Sequence, residues 1–430
     1  MDTKATSTRE LLETLFRGAV SAAHPVNVLP RHLPEPPPRG RIVILAAGKA
    51  AGSMTEIADR HYAALPQERI AGLAVTRHGY GRPAQRIPIV EAGHPVPDKI
   101  GMSAAKRALS LADNVDGNDL VLVLLSGGAS ANWIAPAPGI TLEEKQAVTR
   151  ALLKSGADIG EMNTVRKHLS RIKGGRLAKR AHRAKILTLA ISDVPGDDPA
   201  VIGSGPTVPD PTTLADARDI VRRYRLDLPE AVVRALEDEA NETPKPGDEA
   251  FARSEYRIMA RPADALRIAA TRAAAAGYEC IILGDRLRGE AREVAAEHAR
   301  LALEISGQGR RVAILSGGEL TVTLRGGGHG GPNQEYALAL ALNLNGAPGI
   351  AALAADTDGT DGGSGRRDDP AGAFVDPTTA ERARSAGLDP AAFLADNDST
   401  GFFNGIGDLY RPGPTFTNVT DFRAILVDRS

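Results

Sequence analysis

Two short turns carry the residues best suited to hold an anion. The aliphatic run 120–125 ends in Ser126-Gly127-Gly128, and the run 311–315 ends in Ser316-Gly317-Gly318. An apolar run that stops abruptly at two glycines suits a buried parallel strand delivering a loop at its carboxyl end. Glycine lets successive N–H groups turn toward an anion with no Cβ in the way, which makes these six residues candidates for binding phosphate or nucleotide. A glycine pair after a strand also serves ordinary turns. Its recurrence in one chain is what points to two α/β units around a phosphate site.

Other candidates stand at the ends of the same kind of strand. In AAGKAAGSM, 46–54, Lys49 sits among small residues where a strand hands over to a helix. The segment is neither GxxxxGK[ST] nor GxGxxG, yet a lysine there can place a point charge on a phosphoryl group. NTVRKHLSRIKGGRLAKR, 163–180, reads as a helix with Asn163 as N-cap and a stop or kink at Gly174-Gly175. Its basic residues, Arg166 and Arg171 among them, suit the carboxylate of an acidic substrate or a nucleotide phosphate. A solvated basic face would look the same. Asp193 opens a Gly/Pro-rich loop, 191–213, where an open α/β site would carry a Mg²⁺ ligand or a general base.

The segment 323–342, TLRGGGHGGPNQEYALALAL, holds five glycines among residues 326–331. Such a run loses much entropy on ordering, so it predicts backbone approach to a ligand or a loop that moves. Arg325 leads into the loop; Asn333 and Glu335 lead out of it. AADTDGTDGGSG, 354–365, places Asp356, Asp358 and Asp361 in a strand-terminal loop, where nucleotide or Mg²⁺ contact competes with turn formation.

Two series of elements must position these residues. Apolar residues from Leu11 to Ala23 recur at helical spacing, and a proline-rich stretch from Pro25 to Pro38 ends that helix. Strands are predicted at 42–46, 70–76, 87–91, 120–125 and 186–191, mostly separated by helices in the doubly wound pattern. A polar, proline-bearing segment, 241–255, predicts a boundary between domains 1–245 and 246–430. The second series is 256–260, 279–283, 311–315, 320–324, 351–355 and 423–427. Because 320–324 follows Ser316-Gly-Gly too closely for a helix between, this sheet should be mixed, with a hairpin in it.

Composition bounds the function. At 430 residues and 42% hydrophobic content the chain predicts two domains. Its 52 Lys and Arg balance 53 Asp and Glu, which argues against nucleic acid or an anionic membrane as partner and for a small molecule. Cys280 is the single cysteine, so neither an intramolecular disulfide nor a thiolate metal cluster is expected. No leader or membrane span is read in the sequence, and the expected location is the cytoplasm.

Taken in order, AAGKAAGSM, EAGHPVPD, LLSGGASA, NTVRKHLSRIKGGRLA, ISDVPGDDPAVIGSGPTVPDPTT, SGGELTV, GGPNQEYAL, DTDGTDG, AGAFVD and TNVTDF resemble the class II glycerate 2-kinases, or MOFRL family, from about residue 8 to the carboxyl terminus. The resemblance implies transfer of a phosphoryl group from ATP, with Mg²⁺, to the 2-hydroxyl of D-glycerate. It also implies an α/β fold of two α/β/α domains, an N-terminal Rossmann-like parallel sheet and a C-terminal mixed sheet, with the active site in the cleft between them. By motif, Lys49 and Arg325 become the cations for the transferring group, Ser126, Gly127 and Gly128 the phosphate loop, and Asp193 a metal ligand or base. Asn333 and Glu335 fall near nucleotide or substrate, and Asp356 joins Asp193 as a metal candidate. A homo-oligomer is compatible with the sequence. The competing reading is an NAD(P)H-dependent hydroxypyruvate reductase, against which stands the missing GxGxxG with its acid about twenty residues on.

Overall fold

A computed structural model describes residues 7–363 and 366–429. Two compact units emerge, one formed by Val28–Met259 and the other by 7–27 with 260–429.

The first unit is built on β1 (Ile42–Ala47), β2 (Ile70–Arg77), β3 (Ile89–Ala92), β4 (Leu120–Leu125), β5 (Lys185–Ile191) and β6 (Ser254–Ala260), in the order β3-β2-β1-β4-β5-β6. β1 pairs in parallel with β2 and β4, β2 with β3, and β4 with β5. This is the Rossmann strand order, and it reverses between β1 and β4. β1 and β4, IVILAA and LVLVLL, are buried throughout because helices cover both faces of a parallel sheet. A satellite core gathers Val148 and Leu152, Val165, Leu214 and Ile220, and Val232 and Leu236 from four helices outside the sheet.

In the second unit β7 (Glu279–Gly284), β8 (Val312–Ser316), β9 (Ile350–Asp356), β10 (Gly372–Val375), β11 (Leu409–Tyr410) and β12 (Asp421–Val427) order as β11-β10-β9-β12-β8-β7. The sheet is mixed: β12 runs antiparallel to both β8 and β9, while β7 and β8 are parallel. The helix Thr8–Ala23 starts with a Ser7–Glu10 capping box and buries Leu12, Leu15, Phe16 and Ala19. Its Phe16 ring meets those of Tyr410 and Phe422 edge-on at 5.1 and 5.9 Å.

Four expectations need correction. The hairpin over 320–324 does not form; Thr321 makes only an isolated parallel bridge to Glu290, and the antiparallel pairings come from β10, β11 and β12. The strand expected at 256–260 belongs to the first sheet as β6. The segment 241–255 is packed rather than a free linker, with Asn241 Nδ2 donating to the Ala235 carbonyl at 2.8 Å and Arg176 reaching the Asn241 carbonyl. The split at 245/246 therefore differs from the compact units, which also place 7–27 with the carboxyl-terminal half of the chain.

The second unit encloses a buried ion pair. Arg423, on the central strand β12 and 1% exposed, pairs with Asp421, and its Nη1 and Nη2 donate to the carbonyls of Gly317 and Gly318 at 3.3 and 3.1 Å. Removing one member of such a pair leaves a buried charge without its counter-charge. Arg423→Met should destabilise the protein by about 3 kcal/mol or more, read as a shift in the urea midpoint of the second unit. A midpoint within experimental error of wild type would show that the pair contributes nothing.

Candidate active site

In the first unit the carboxyl ends of β1 and β4, where the strand order reverses, are laced together. The Lys49 amide donates to the Gly127 carbonyl at 2.8 Å, the Ser126 amide to the Ala47 carbonyl at 3.1 Å, and the Ala50 amide to Ser126 Oγ at 2.9 Å. Gly48 makes this approach possible. At φ +117° it adopts a conformation that disfavours a side chain, and a Cβ there would stand 2.4 Å from the Ser126 carbonyl oxygen. Gly128, at φ +84°, leaves room for the His94 ring; a Cβ would lie 2.9 Å from His94 Cδ2 and 3.4 Å from Lys49 Cγ. Among the described residues, the Gly127 and Gly128 amides donate to no acceptor. Two successive unspent N–H groups beside a half-buried lysine have the donor chemistry that a phosphate group requires.

Arg166 belongs to the same region. It lies on the helix Ile159–His168, which begins at Asp158 with a capping box and not at Asn163. Its Nη2 donates to Ser130 Oγ at 3.2 Å, two residues beyond the Ser126–Gly128 turn. Arg171 does not join it: the helix ends before reaching that position, and the Arg171 side chain is exposed. Lys167, the next residue on that helix, is buried and pairs with Asp210 at 3.3 Å. Asp193 is half-buried just beyond β5 and, with Asp198, adds its negative charge to the burial that pushes up the Tyr256 phenol.

In the second unit Asn333 and Asp361 meet at the start of the helix Pro332–Leu344. Asp361 accepts from the Asn333 amide at 3.0 Å and the Gln334 amide at 2.8 Å, so it caps the helix. Asn333 Nδ2 bridges Asp361 and Asp421, at 3.1 and 2.7 Å, and its Oδ1 is buried without a partner. Asp421 stands opposite Asp356 in the β9–β12 register. Asp356 and Asp358 each accept from the amide two residues on, at 2.9 and 2.8 Å, as turn-forming aspartates do.

Several candidates here are explained by packing. Ser316, Gly317 and Gly318 are buried; the Gly317 and Gly318 carbonyls hold Arg423, and a Cβ on Gly318 would stand 2.2 Å from the Leu287 nitrogen. Glu335 is buried against Arg292, at 2.6 Å, and Asn397 Nδ2, at 2.9 Å. That ion pair uses its carboxylate within the unit, away from the ligand role expected of it. The glycine loop is likewise held from within: the amides of Gly326, Gly327 and Gly328 donate to Asn397 Oδ1, Asp396 Oδ1 and the Asp396 carbonyl at 3.0, 3.0 and 2.9 Å. Cβ atoms at Gly326 or Gly328 would collide with Asp396 or Asp398 within 2.4 Å, so close backbone packing accounts for glycine there. Arg325 is exposed at the start of this loop, its amide bonded to Asn397 Oδ1 at 2.7 Å.

Among the described residues no group of three or more His, Cys, Asp or Glu is arranged to hold a metal ion. Mg²⁺ needs fewer protein ligands, since one or two carboxylates usually suffice when phosphates complete its shell. Asp193 in the first unit and, separately, Asp356 in the second are half-buried carboxylates with oxygen donors of that kind. No helix among the described residues is long and apolar enough to cross a membrane.

Residues 11–237 match a family described as a domain of unknown function, DUF4147, and residues 312–421 match the MOFRL family. The D-glycerate 2-kinase of Thermotoga maritima is 39% identical over 420 residues, covering 96% of this chain and 97% of that protein. The chain belongs to the class II glycerate 2-kinase, or MOFRL, family. Another family member, from Agrobacterium vitis and provisionally named a hydroxypyruvate reductase, is 50% identical over 427 residues, 98% of this chain and 95% of its own. The crystal structure of the Thermotoga glycerate kinase superposes with a TM-score of 0.84 at 38% identity, covering 97% of this chain and 99% of that one.

Asp361 provides a pH test of the second unit. Burial, then the charge of Asp421, pushes its carboxyl up to about 7, against the opposing N–H donors of Asn333 and Gln334. In the unfolded chain the same group ionises near ~4. Between those values only the folded state keeps the proton, so this group makes stability fall as pH rises from about 4 to about 7, with no further loss above. Asp361→Asn should flatten that decline in urea melts recorded across the window. An equal slope in variant and wild type would exclude Asp361 as its source.

Proposed function

We propose that this chain is a kinase that moves the terminal phosphoryl group of ATP to the 2-hydroxyl of D-glycerate, giving 2-phosphoglycerate and ADP. The observation that carries the reading is the turn after β4, where the unspent amides of Gly127 and Gly128 lie beside Lys49 at the reversal of strand order. Phosphoryl transfer calls for positioning and charge neutralisation more than covalent chemistry, and amides with a lysine supply both. Names of relatives from Thermotoga and Pyrococcus support glycerate as the acceptor.

In this reading the Gly127 and Gly128 amides orient phosphoryl oxygens, and Lys49 neutralises charge that grows on them during transfer. The lacing of its own amide to Gly127 fixes the backbone from which the Lys49 side chain extends. Mg²⁺, when bound, would screen the phosphate charges, with Asp193 as the proposed ligand in this unit. The cytoplasm is the proposed location.

A nicotinamide-dependent reductase fits the same sheet less well. The end of β2, where a ribose-binding acid would stand, carries Arg77, which is buried and stacks over the Tyr80 ring at 4.7 Å.

Purified protein should convert D-glycerate and MgATP to 2-phosphoglycerate, identified by mass spectrometry and NMR. Lys49→Ala should lower kcat by roughly a hundredfold or more with the fold intact. Production of 3-phosphoglycerate, or NAD(P)H oxidation with hydroxypyruvate in place of ADP formation, would refute the reading. Near-normal turnover by Lys49→Ala would remove that residue from the catalytic set.

A further inference from the structure

Behind the Ser126–Gly128 turn lie three cations and two hydroxyls. Lys173, 2% exposed, follows the helix Ile159–His168; its Nζ donates to the Ser130 carbonyl at 2.6 Å, to Ser130 Oγ, and to Ser204 Oγ at 3.5 Å. Ser130 Oγ also takes the 3.2 Å bond from Arg166 Nη2 and lies 2.9 Å from Ser204 Oγ. Lys145, 3% exposed, holds the carbonyls of Arg166 and Leu169 at 3.0 and 3.1 Å, tying down the end of the helix that carries Arg166. Among the described residues no ion pair joins Lys145, Arg166 or Lys173 to a carboxylate.

Three features of this cluster point outward to a ligand. Buried cations without a counter-charge are costly to maintain, and burial together with their mutual repulsion lowers the proton affinity of both lysines. Second, the Ser130 hydroxyl oxygen already accepts from a guanidinium and an ammonium, so its own proton is donated, to Ser204 Oγ at 2.9 Å as the cluster stands or to an anion that takes the place of that acceptor. Third, Ser204 holds φ +64° between Gly203 and Gly205, which are also left-handed, an arrangement that a non-glycine residue adopts at a cost. That strain keeps Ser204 Oγ against Ser130. Ser130 and Arg166 are the members that retain partial exposure, so a ligand would meet a hydroxyl donor and a guanidinium side by side.

We infer that the Ser130–Arg166 pair, backed by Lys173, Lys145 and Ser204, is the subsite for the carboxylate of the acceptor, a small 2-hydroxy acid. A planar two-oxygen anion matches one hydroxyl proton plus one guanidinium edge, whereas the Gly127 and Gly128 amides with Lys49 suit a phosphoryl group. Ser130 and Arg166 touch the ligand. Lys173 is a positioning residue that acts through Ser130. The inference rests on the kinase reading for the identity of the acceptor.

Trp133, the sole tryptophan, makes the test direct. It is buried, its amide bonded to the Ala129 carbonyl at 2.8 Å, three residues beyond Ser130. Its fluorescence in the protein alone is titrated with D-glycerate and with glyceramide, which lacks the negative charge. D-glycerate should give a saturable change, and glyceramide should bind at least roughly tenfold more weakly. Ser130→Ala and Lys173→Met should each raise KM for D-glycerate by roughly tenfold or more while KM for ATP stays within about twofold. Lys173→Arg should recover part of the loss.

Equal binding of glyceramide, or no saturable response to D-glycerate, would overturn the assignment. So would a normal KM for D-glycerate in Ser130→Ala shown by its thermal melt to be folded. Product analysis on the same samples separates the two readings. A glycerate signal with no 2-phosphoglycerate refutes the kinase and spares the subsite; normal product with unchanged KM in the variants refutes only the subsite.

Discussion

The first unit turns on how closely two strand ends can approach. β1 and β4 are neighbours along their whole length, and their last residues are joined by amide-to-carbonyl and amide-to-hydroxyl bonds across Lys49, Ala50, Ser126 and Gly127. That closeness excludes a side chain at residue 48 and forces the backbone after β4 to turn at Gly128. With Lys49 N–H and Ala50 N–H spent on the neighbouring strand, the amides of Gly127 and Gly128 are left over as donors. The pair of unspent donors is thus a by-product of tight strand packing, present without any dedicated phosphate-binding sequence.

The second unit obeys a different constraint, the burial of charge. Arg423 and Asp421 occupy a central strand, and their partners set what surrounds them: the Gly317 and Gly318 carbonyls on one side, Asn333 and through it Asp361 on the other. The glycines after β8 and the cap of the helix Pro332–Leu344 therefore answer to one ion pair. Two Ser-Gly-Gly turns of the same composition consequently do different work, since the carbonyls of one face a buried guanidinium and the amides of the other are unspent.

Elements with strong local signals were legible in the sequence. The run LVLVLL has the composition of a buried strand, and its Ser-Gly-Gly end marked the turn. Residues whose role depends on a distant partner were not. Glu335 reads as a helix-leading acid, and only the fold brings Arg292 to it; 320–324 alternates like a strand but finds no neighbour beyond a single bridge at Thr321. Lys145 and Lys173 are the extreme case, because a lysine in sequence reads as solvated and nothing local announces full burial. Asp421 and Arg423 did leave a trace, two charges within an otherwise apolar final strand. For the candidate site, the backbone turn and Lys49 were therefore readable, whereas the cationic cluster behind them was not.

The second unit joins segments that lie far apart in sequence, and this ordering matters while the protein is being made. The helix Thr8–Ala23 packs on residues that leave the ribosome much later: Thr417 Oγ1 donates to the Ala23 carbonyl at 2.7 Å, and Phe16 seats against Tyr410 and Phe422. At ordinary elongation rates the wait is on the order of a minute. Val28–Met259, contiguous in sequence, can fold during that time, but the amphipathic helix Thr8–Ala23 has no permanent partner until residues 410–422 have emerged. Its apolar stripe must stay in water or in passing contacts over that interval, so the second unit is the later of the two to gain its full core.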